Sequence, residues 1–352
     1  MKYRIISTPG RICLFGEHQD YLHLPVIAAA IDKRVNIKYS INGSTRCTFE
    51  LPDIEATDTF ELDSAAEYRH DRDYFKSSIQ VLRKHGYAIT KGLDVHISGN
   101  IPINSGTSSS SALVVSWIAT LLDANGYTCS SAEIADFAVQ AEVHAFGEPG
   151  GIMDQYSTAL GGMIYLNTAN QQVSKLPVLQ GTFVLGDSGL PKATHEVLTR
   201  TKAFIFDAVH AAKIIKPDFK LDQDNCPSDW KDKLGQHYTV LKQTIRNRDI
   251  TQEALKMIQS GEVDPYQLGA LLTEEHQILD QVYGLVPDKL NGMLHAAINA
   301  GALGGKINGS GGGGCIFVYA PNDPEKVAHA IASCDAKAYI IQIDEGVRYE
   351  NG

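Results

Sequence analysis

The first hundred residues distribute their apolar positions as strands do. Positions 4–15 (RIISTPGRICLF) and 25–41 (PVIAAAIDKRVNIKYSI) are dense in apolar and β-branched residues, and 93–97 (LDVHI) alternates, so three strands are expected. Between them, 51–74 is polar and acidic with a few aromatics and reads as surface strands and loops. From Ser108 the period changes. Leu113, Val114, Trp117, Ile118, Leu121 and Leu122 recur near every 3.6 residues until Asn125-Gly126, predicting a helix that is apolar on most sides and therefore buried. Ser130 and Glu133 form the S-x-x-E capping pattern ahead of a second helix, with Ile134, Phe137, Ala141 and Ala145 on one face and an end near Gly147.

Short strands at 163–166 and 182–185 follow, and helical periodicity then dominates. Helices are expected at 237–248, 251–259, 265–283 and 289–300, the last closed by Gly301, then a strand at 315–319, a helix at 324–333 and a strand at 338–343. The stretch 216–233, with two prolines and many charges, reads as an exposed connection. The change of period near residue 185 divides the chain into 1–185 and 186–352, and no internal repeat is visible. The class is α+β.

Composition narrows the range of functions. With 352 residues, 43% hydrophobic and 20% charged, the chain is long enough for two packed domains and is not of disordered type. A formal charge of -10 argues against coating nucleic acid or an anionic membrane, yet leaves room for a local anion site. The most apolar stretch, 112–122, is well short of the roughly 20 residues that span a bilayer, and MKYRIISTPG lacks a signal-peptide apolar core. A cytoplasmic monomer or homodimer is expected, without nucleic-acid or membrane partners. The six cysteines contain no C-x-x-C pair, which disfavours a structural zinc or a disulfide framework.

Four segments carry candidate chemistry. In PGRICLFGEHQDY (9–21), Glu17, His18 and Asp20 crowd the end of an apolar strand, where they can hydrogen-bond a hydroxylated ligand; a charged turn would look the same. In IPINSGTSSSSAL (101–113), Gly106 and four consecutive serines precede the apolar helix. Small residues there let backbone N–H groups and the helix dipole meet a phosphate, whereas N-capping would need only one serine. In KINGSGGGGCIFVY (306–319), Gly309, Gly311 and Gly314 spell G-x-G-x-x-G, but a strand follows where a dinucleotide fold needs a helix. In AEVHAFGEPGGIMDQYS (141–157), Glu142 sits late on a helix and Asp154 follows a Gly-Gly pair; a turn aspartate is the plainer reading. The chain contains neither a P-loop signature nor H-E-x-x-H.

Taken in order, 9–21, 102–113, 142–155 and 308–315 resemble the three-motif pattern of the GHMP small-molecule kinases, and within it most of all the galactokinases. LLTEEHQIL (271–279) is similar to a galactokinase helix before the last glycine loop. The resemblance implies an N-terminal domain like the second domain of ribosomal S5, a C-terminal ferredoxin-like domain, and an active site in the cleft between them. Carried over, it implies that Gly106, Ser108, Ser109 and Ser110 cradle the phosphates of ATP. Ser110 and Glu142 would hold Mg²⁺, Asp154 and Arg11 would be catalytic, and Glu17, His18, Asp20 and Gly151 would contact a sugar.

The implied reaction is ATP-dependent phosphorylation of a monosaccharide at its anomeric hydroxyl. Arg11 and Asp20-Tyr21 follow the sugar-kinase pattern, since mevalonate kinases carry lysine at the first position. Cys13 replaces the asparagine usual in galactokinases, Leu22-His23-Leu24 replaces Asn-Gly-Gly, and Asn104-Ser105 replaces glycines. The segment 186–198 is similar to mevalonate kinases, which keeps a non-sugar alcohol open as the acceptor. A catalytically inactive sugar or nucleotide sensor on the same fold is the third reading.

Overall fold

The computed structural model describes residues 3–63, 67–192 and 194–351. Its centre is an antiparallel pair, β1 (Arg4–Phe15) and β2 (Val26–Ile41), buried on both faces. Alternate side chains enter different cores: Cys13, Val26 and Ala28 join one hydrophobic cluster, and Ile12, Leu14, Ile27, Ala29 and Ile31 the other. Burial on both sides explains why these strands read as apolar runs.

Around this pair an eight-stranded sheet runs β12-β1-β2-β5-β3-β4. It uses β3 (Arg46–Leu51), β4 (Ala56–Glu61), β5 (Leu93–Gly99) and β12 (Arg348–Asn351), with β6 (Met163–Asn167) and β7 (Gln172–Leu176) attached through the start of β2. The first core collects the helices α1 (Tyr74–Lys84), α2 (Ser109–Asn125), α3 (Ser131–Glu142) and α4 (Met153–Leu160). Trp117 of α2 is fully buried there against Phe49 and Phe75. The Ser130–Glu133 capping box forms as expected at the start of α3.

The second sheet is antiparallel and ordered β11-β8-β10-β9, from β8 (Phe183–Asp187), β9 (Gly304–Ile307), β10 (Cys315–Tyr319) and β11 (Lys337–Ile341). Between β8 and β9 come α5 (Thr194–Ile215), α6 (Lys231–Leu234), α7 (His237–Ser260), α8 (Pro265–Gln281) and α9 (Asp288–Asn299), and α10 (Pro324–Ala332) joins β10 to β11. A β-α-β-β-α-β path with its first strand between the third and fourth is the ferredoxin-like arrangement. Position 185 lies inside β8, and β12 carries the end of the chain back to the edge of the first sheet beside β1.

Several elements differ from the sequence expectation. The stretches 237–248 and 251–259 are one helix, α7, because Asp249-Ile250 contains no breaker. Helices α1, α4, α5 and α6 and strands β3, β7, β9 and β12 were not foreseen. No described helix is long and apolar enough to cross a membrane.

Candidate active site

A cavity of about 360 Å³ opens where the two sheets meet, and it is lined by Arg11, Glu17, His18, Asp20, Gly106, Ser108, Ser109, Ser110, Glu142, Gly151 and Asp154. All eleven residues singled out in the sequence therefore face one space, although they lie up to 143 positions apart. Arg11 comes from the middle of β1. Its Nε and Nη2 lie 2.9 and 2.8 Å from Asp154 Oδ1, and its Nη1 donates to the Gly106 carbonyl at 2.5 Å. The Arg11 side chain is 4% exposed, whereas Asp154 is 34% exposed, so the carboxylate reaches into the cavity on a buried cation. Asp154 is in the first turn of α4, not in an isolated turn.

The serine run divides by role. Ser105 Oγ and Thr107 Oγ1 both turn back to the Pro102 carbonyl and shape the loop. Ser108 occupies the N-cap of α2 but makes no capping bond, and its buried hydroxyl has no partner. Capping therefore does not account for the serines, and the first-turn N–H groups of a 17-residue helix remain available to an anion. Gly106 has φ 85°, and a Cβ there would sit 2.5 Å from the Asn308 carbonyl oxygen, so only glycine fits.

Glu142 at the end of α3 takes a 2.6 Å hydrogen bond from Gln155 Nε2. Burial pushes its carboxyl up, Gln155, Ser110 and Ser111 pull it down, and Asp154 adds to the rise. A buried carboxylate beside serine hydroxyls, with the orphaned Ser108 hydroxyl on the same loop, is a hard-oxygen set of the kind that suits Mg²⁺. Among the described residues no group of three or more His, Cys, Asp or Glu could hold a metal unaided. A Mg²⁺ ion would thus be shared with phosphate oxygens.

At the other end of the cavity, Asp20 Oδ1 and Oδ2 accept the N–H groups of Tyr21 (2.9 Å) and Met153 (3.5 Å). Burial, with the Asp154 and Glu17 charges, lifts its carboxyl to about 6. A Cβ on Gly151 would lie 2.0 Å from Asp20 Oδ2, so this glycine makes room for the carboxylate. His18 uses both ring nitrogens, 2.8 Å from the Tyr21 hydroxyl and 3.1 Å from the Ser310 carbonyl, and burial lowers it to about 4, leaving it neutral.

Glu17 lines the cavity but is also a tie between lobes. Its Oε2 accepts from Lys306 Nζ (3.1 Å) and the Gly309 N–H (2.7 Å). Burial would raise its carboxyl, but Lys306, followed by Arg11 and His18, holds it below the ordinary value. Glu275 of α8, fully buried, accepts the N–H groups of Gly16 (3.1 Å) and Glu17 (2.8 Å). The glycine string is the β9–β10 hairpin loop, where Asn308 Oδ1 takes the Cys13 N–H at 2.9 Å and Asn308 Nδ2 donates to the Gly106 carbonyl at 2.8 Å. The loop therefore closes against the first lobe and the phosphate loop. Sequence reasoning passed over Lys192, Arg72 and Glu148, which also line the cavity, and Glu275. Arg72 lies in a polar loop without a motif, while Glu148, Glu275 and Lys192 lie in segments noted above whose other residues carried the signal.

Comparison with known proteins agrees with this geometry. Residues 73–162 match the family description "GHMP kinases N terminal domain", 257–337 "GHMP kinases C terminal", and 2–40 "Galactokinase galactose-binding signature". A mevalonate kinase of Thermococcus onnurineus is 29% identical over 98% of each chain, and a galactokinase of Thermococcus kodakarensis is 27% identical over 97% of this chain and 99% of its own. Among solved structures, Lactococcus lactis galactokinase complexed with galactose superposes with a TM-score of 0.86 at 23% identity, over 98% of this chain and 95% of that one. Methanococcus jannaschii mevalonate kinase gives 0.75 at 19% identity, over 97% and 98%. Two-lobed fold, lobe-spanning cavity and family matches together place this chain among the GHMP kinases, phosphotransferases with an alcohol group as acceptor.

Proposed function

We propose that this kinase phosphorylates a monosaccharide with ATP, at the anomeric hydroxyl, giving a sugar 1-phosphate and ADP. The observation that carries the reading is the Arg11–Asp154 pair, standing between an uncapped serine-rich helix N-terminus and a set of hydrogen-bonding side chains. Phosphoryl transfer passes through a loose state with charge spread over the phosphoryl oxygens, so positioning and charge neutralisation do most of the work. The Ser108, Ser109 and Ser110 end of α2 and Gly106 cradle the triphosphate, and Arg11 supplies positive charge. Mg²⁺, held by Glu142 and the Ser110 hydroxyl, would neutralise charge on the phosphate oxygens. Asp154 accepts or orients the acceptor proton, while Glu17, His18, Asp20 and Gly151 position the sugar.

The carboxylates at the acceptor end favour a neutral polyol over an anionic acceptor, because Asp20 and Glu17 would repel a carboxylate brought beside them. The galactose-binding signature over 2–40 supports the same choice. The identity to the Thermococcus onnurineus mevalonate kinase supports the second reading, mevalonate as acceptor. A panel of galactose, arabinose, galacturonate, glucuronate, N-acetylgalactosamine and mevalonate, read by ADP release, decides between them. Turnover of mevalonate alone would overturn the sugar reading.

A further inference from the structure

Lys192 lies five residues beyond β8 and two before α5, on the wall of the cavity that faces the phosphate loop. Its Nζ is 2.4 Å from where a Cβ on Gly106 would stand and 3.2 Å from where one on Gly309 would stand, so it is wedged between the phosphate loop and the hairpin loop. Arg11 reaches the same glycine from the opposite lobe, through the Gly106 carbonyl. Two cations thus converge on one loop. Arg11 is matched by Asp154, but the Lys192 ammonium makes no hydrogen bond or ion pair among the described residues. A half-buried ammonium on the cavity wall, with no partner among the described residues, has its donors free for an anion that enters there.

We infer that Lys192 is a catalytic residue of this kinase, a second cation that donates to a non-bridging oxygen of the phosphoryl group in transfer. The inference deepens the reading given above and rests on it. In the step, the acceptor oxygen bonds to the γ-phosphorus as the bond from that phosphorus to the ADP oxygen breaks. The bonding pair leaves with ADP, the acceptor proton passes to Asp154, and Lys192 keeps its own proton throughout. Its charge offsets the negative charge that the loose transition state leaves on the phosphoryl oxygens. The groups that face it are Arg11 on β1, Glu17 and His18 in the turn after β1, Asp154 on α4 and Cys315 on β10. Burial lowers its ammonium to about 8, with Glu17 opposing and Arg11 adding to the fall. Lys192 is therefore charged at neutral pH and loses its proton above about pH 8.

The test compares the full-length wild type with Lys192→Met and Lys192→Arg. Calorimetry with Mg²⁺ and either ADP or the β,γ-imido analogue of ATP reads the phosphate contact without turnover. Lys192→Met is expected to weaken the triphosphate analogue about 10-fold or more while leaving ADP nearly unchanged, the scale of one hydrogen bond to a charged group. Its kcat on the best acceptor should fall by roughly 10²-fold or more. Lys192→Arg should recover most of both and hold kcat/KM for ATP above pH 8, where the wild type declines. A Lys192→Met enzyme with unchanged kcat and an unchanged ratio of triphosphate to diphosphate affinity overturns the assignment and leaves the kinase reading in place. A wild type that turns over none of the six acceptors, combined with a Lys192→Met loss confined to the triphosphate, supports the lysine and removes the sugar reading. Failure of the wild type to bind either nucleotide overturns both.

Discussion

At the scale of single residues, the chemistry is concentrated in one ion pair and one perturbed carboxyl. Asp154→Asn keeps the size of the side chain but removes the acceptor for a proton, so ATP binding should persist while kcat falls on the order of 10²-fold or more. Steady-state kinetics beside a nucleotide titration checks this, and near-wild-type turnover would exclude the role. Asp20, lifted to about 6, accepts sugar hydroxyls best when ionised, so kcat/KM for the acceptor should fall as pH drops through 6. In Asp20→Asn that acid limb should vanish, at a much higher acceptor KM. Residues in compact, chemically mixed strings were legible: Glu17, His18 and Asp20 are within four positions, and the serines are consecutive. Lys192 and Glu275 were not, because Lys192 is a lone charge and Glu275 one of two adjacent glutamates on a helix, and each acquires meaning only from partners brought by other elements.

At the scale of elements, what was legible depended on how many sides a segment buries. Helix α2 and strands β1 and β2 are buried nearly all round and announce themselves as apolar runs. Helix α5 buries only Thr201, Ile205, Ala208 and Ala212 of its 22 residues, while Phe204 and Phe206 stay exposed, which blurs the apolar stripe. Helix α4 has eight residues and begins one residue after the Gly150-Gly151 pair, a loop signal that hides it. Helix α8 holds the turn after β1 by a contact that sequence does not disclose. Glu275 accepts two turn N–H groups, while its second oxygen is buried without a partner, and burial raises its carboxyl to about 7 despite Lys306 at 3.8 Å. A raised folded value means that the native state prefers the protonated acid. The contribution is complete below the ordinary 4.5, is lost as pH climbs from there to about 7, and stays lost above. Glu275→Gln keeps an accepting oxygen and cannot ionise, so its Tm should match the wild type near pH 4.5 and exceed it increasingly up to pH 7. Parallel Tm curves across that window would rule the account out.

At the scale of the whole molecule, the sequence divides more cleanly than the structure does. The hydrophobic period changes near residue 185, yet that position lies inside β8, β1 and β2 give alternate side chains to both cores, and the chain's last strand pairs with β1. Arg34, 6% exposed on β2, fastens that return: it donates to Ser7 Oγ, the Ser7, Glu345 and Gly346 carbonyls, and Asp344. Shared strands should make the two lobes unfold as one unit. The chain's two tryptophans report on them separately, since Trp117 lies in the first core and Trp230 in the second. Single-tryptophan variants, Trp230→Phe and Trp117→Phe, unfolded in urea and followed by fluorescence, should each give one transition, and the fraction unfolded should not depend on the reporter once each variant's own stability is allowed for. Arg34→Ala in either background leaves buried carbonyls without donors, at about 1–3 kcal/mol each. Because β2 belongs to both cores, that loss should lower both midpoints by the same amount. A shift confined to the Trp117 signal, with Trp230 unmoved, would mean that the shared strands do not couple the lobes, and the cavity between them would then rest on two independently folding halves.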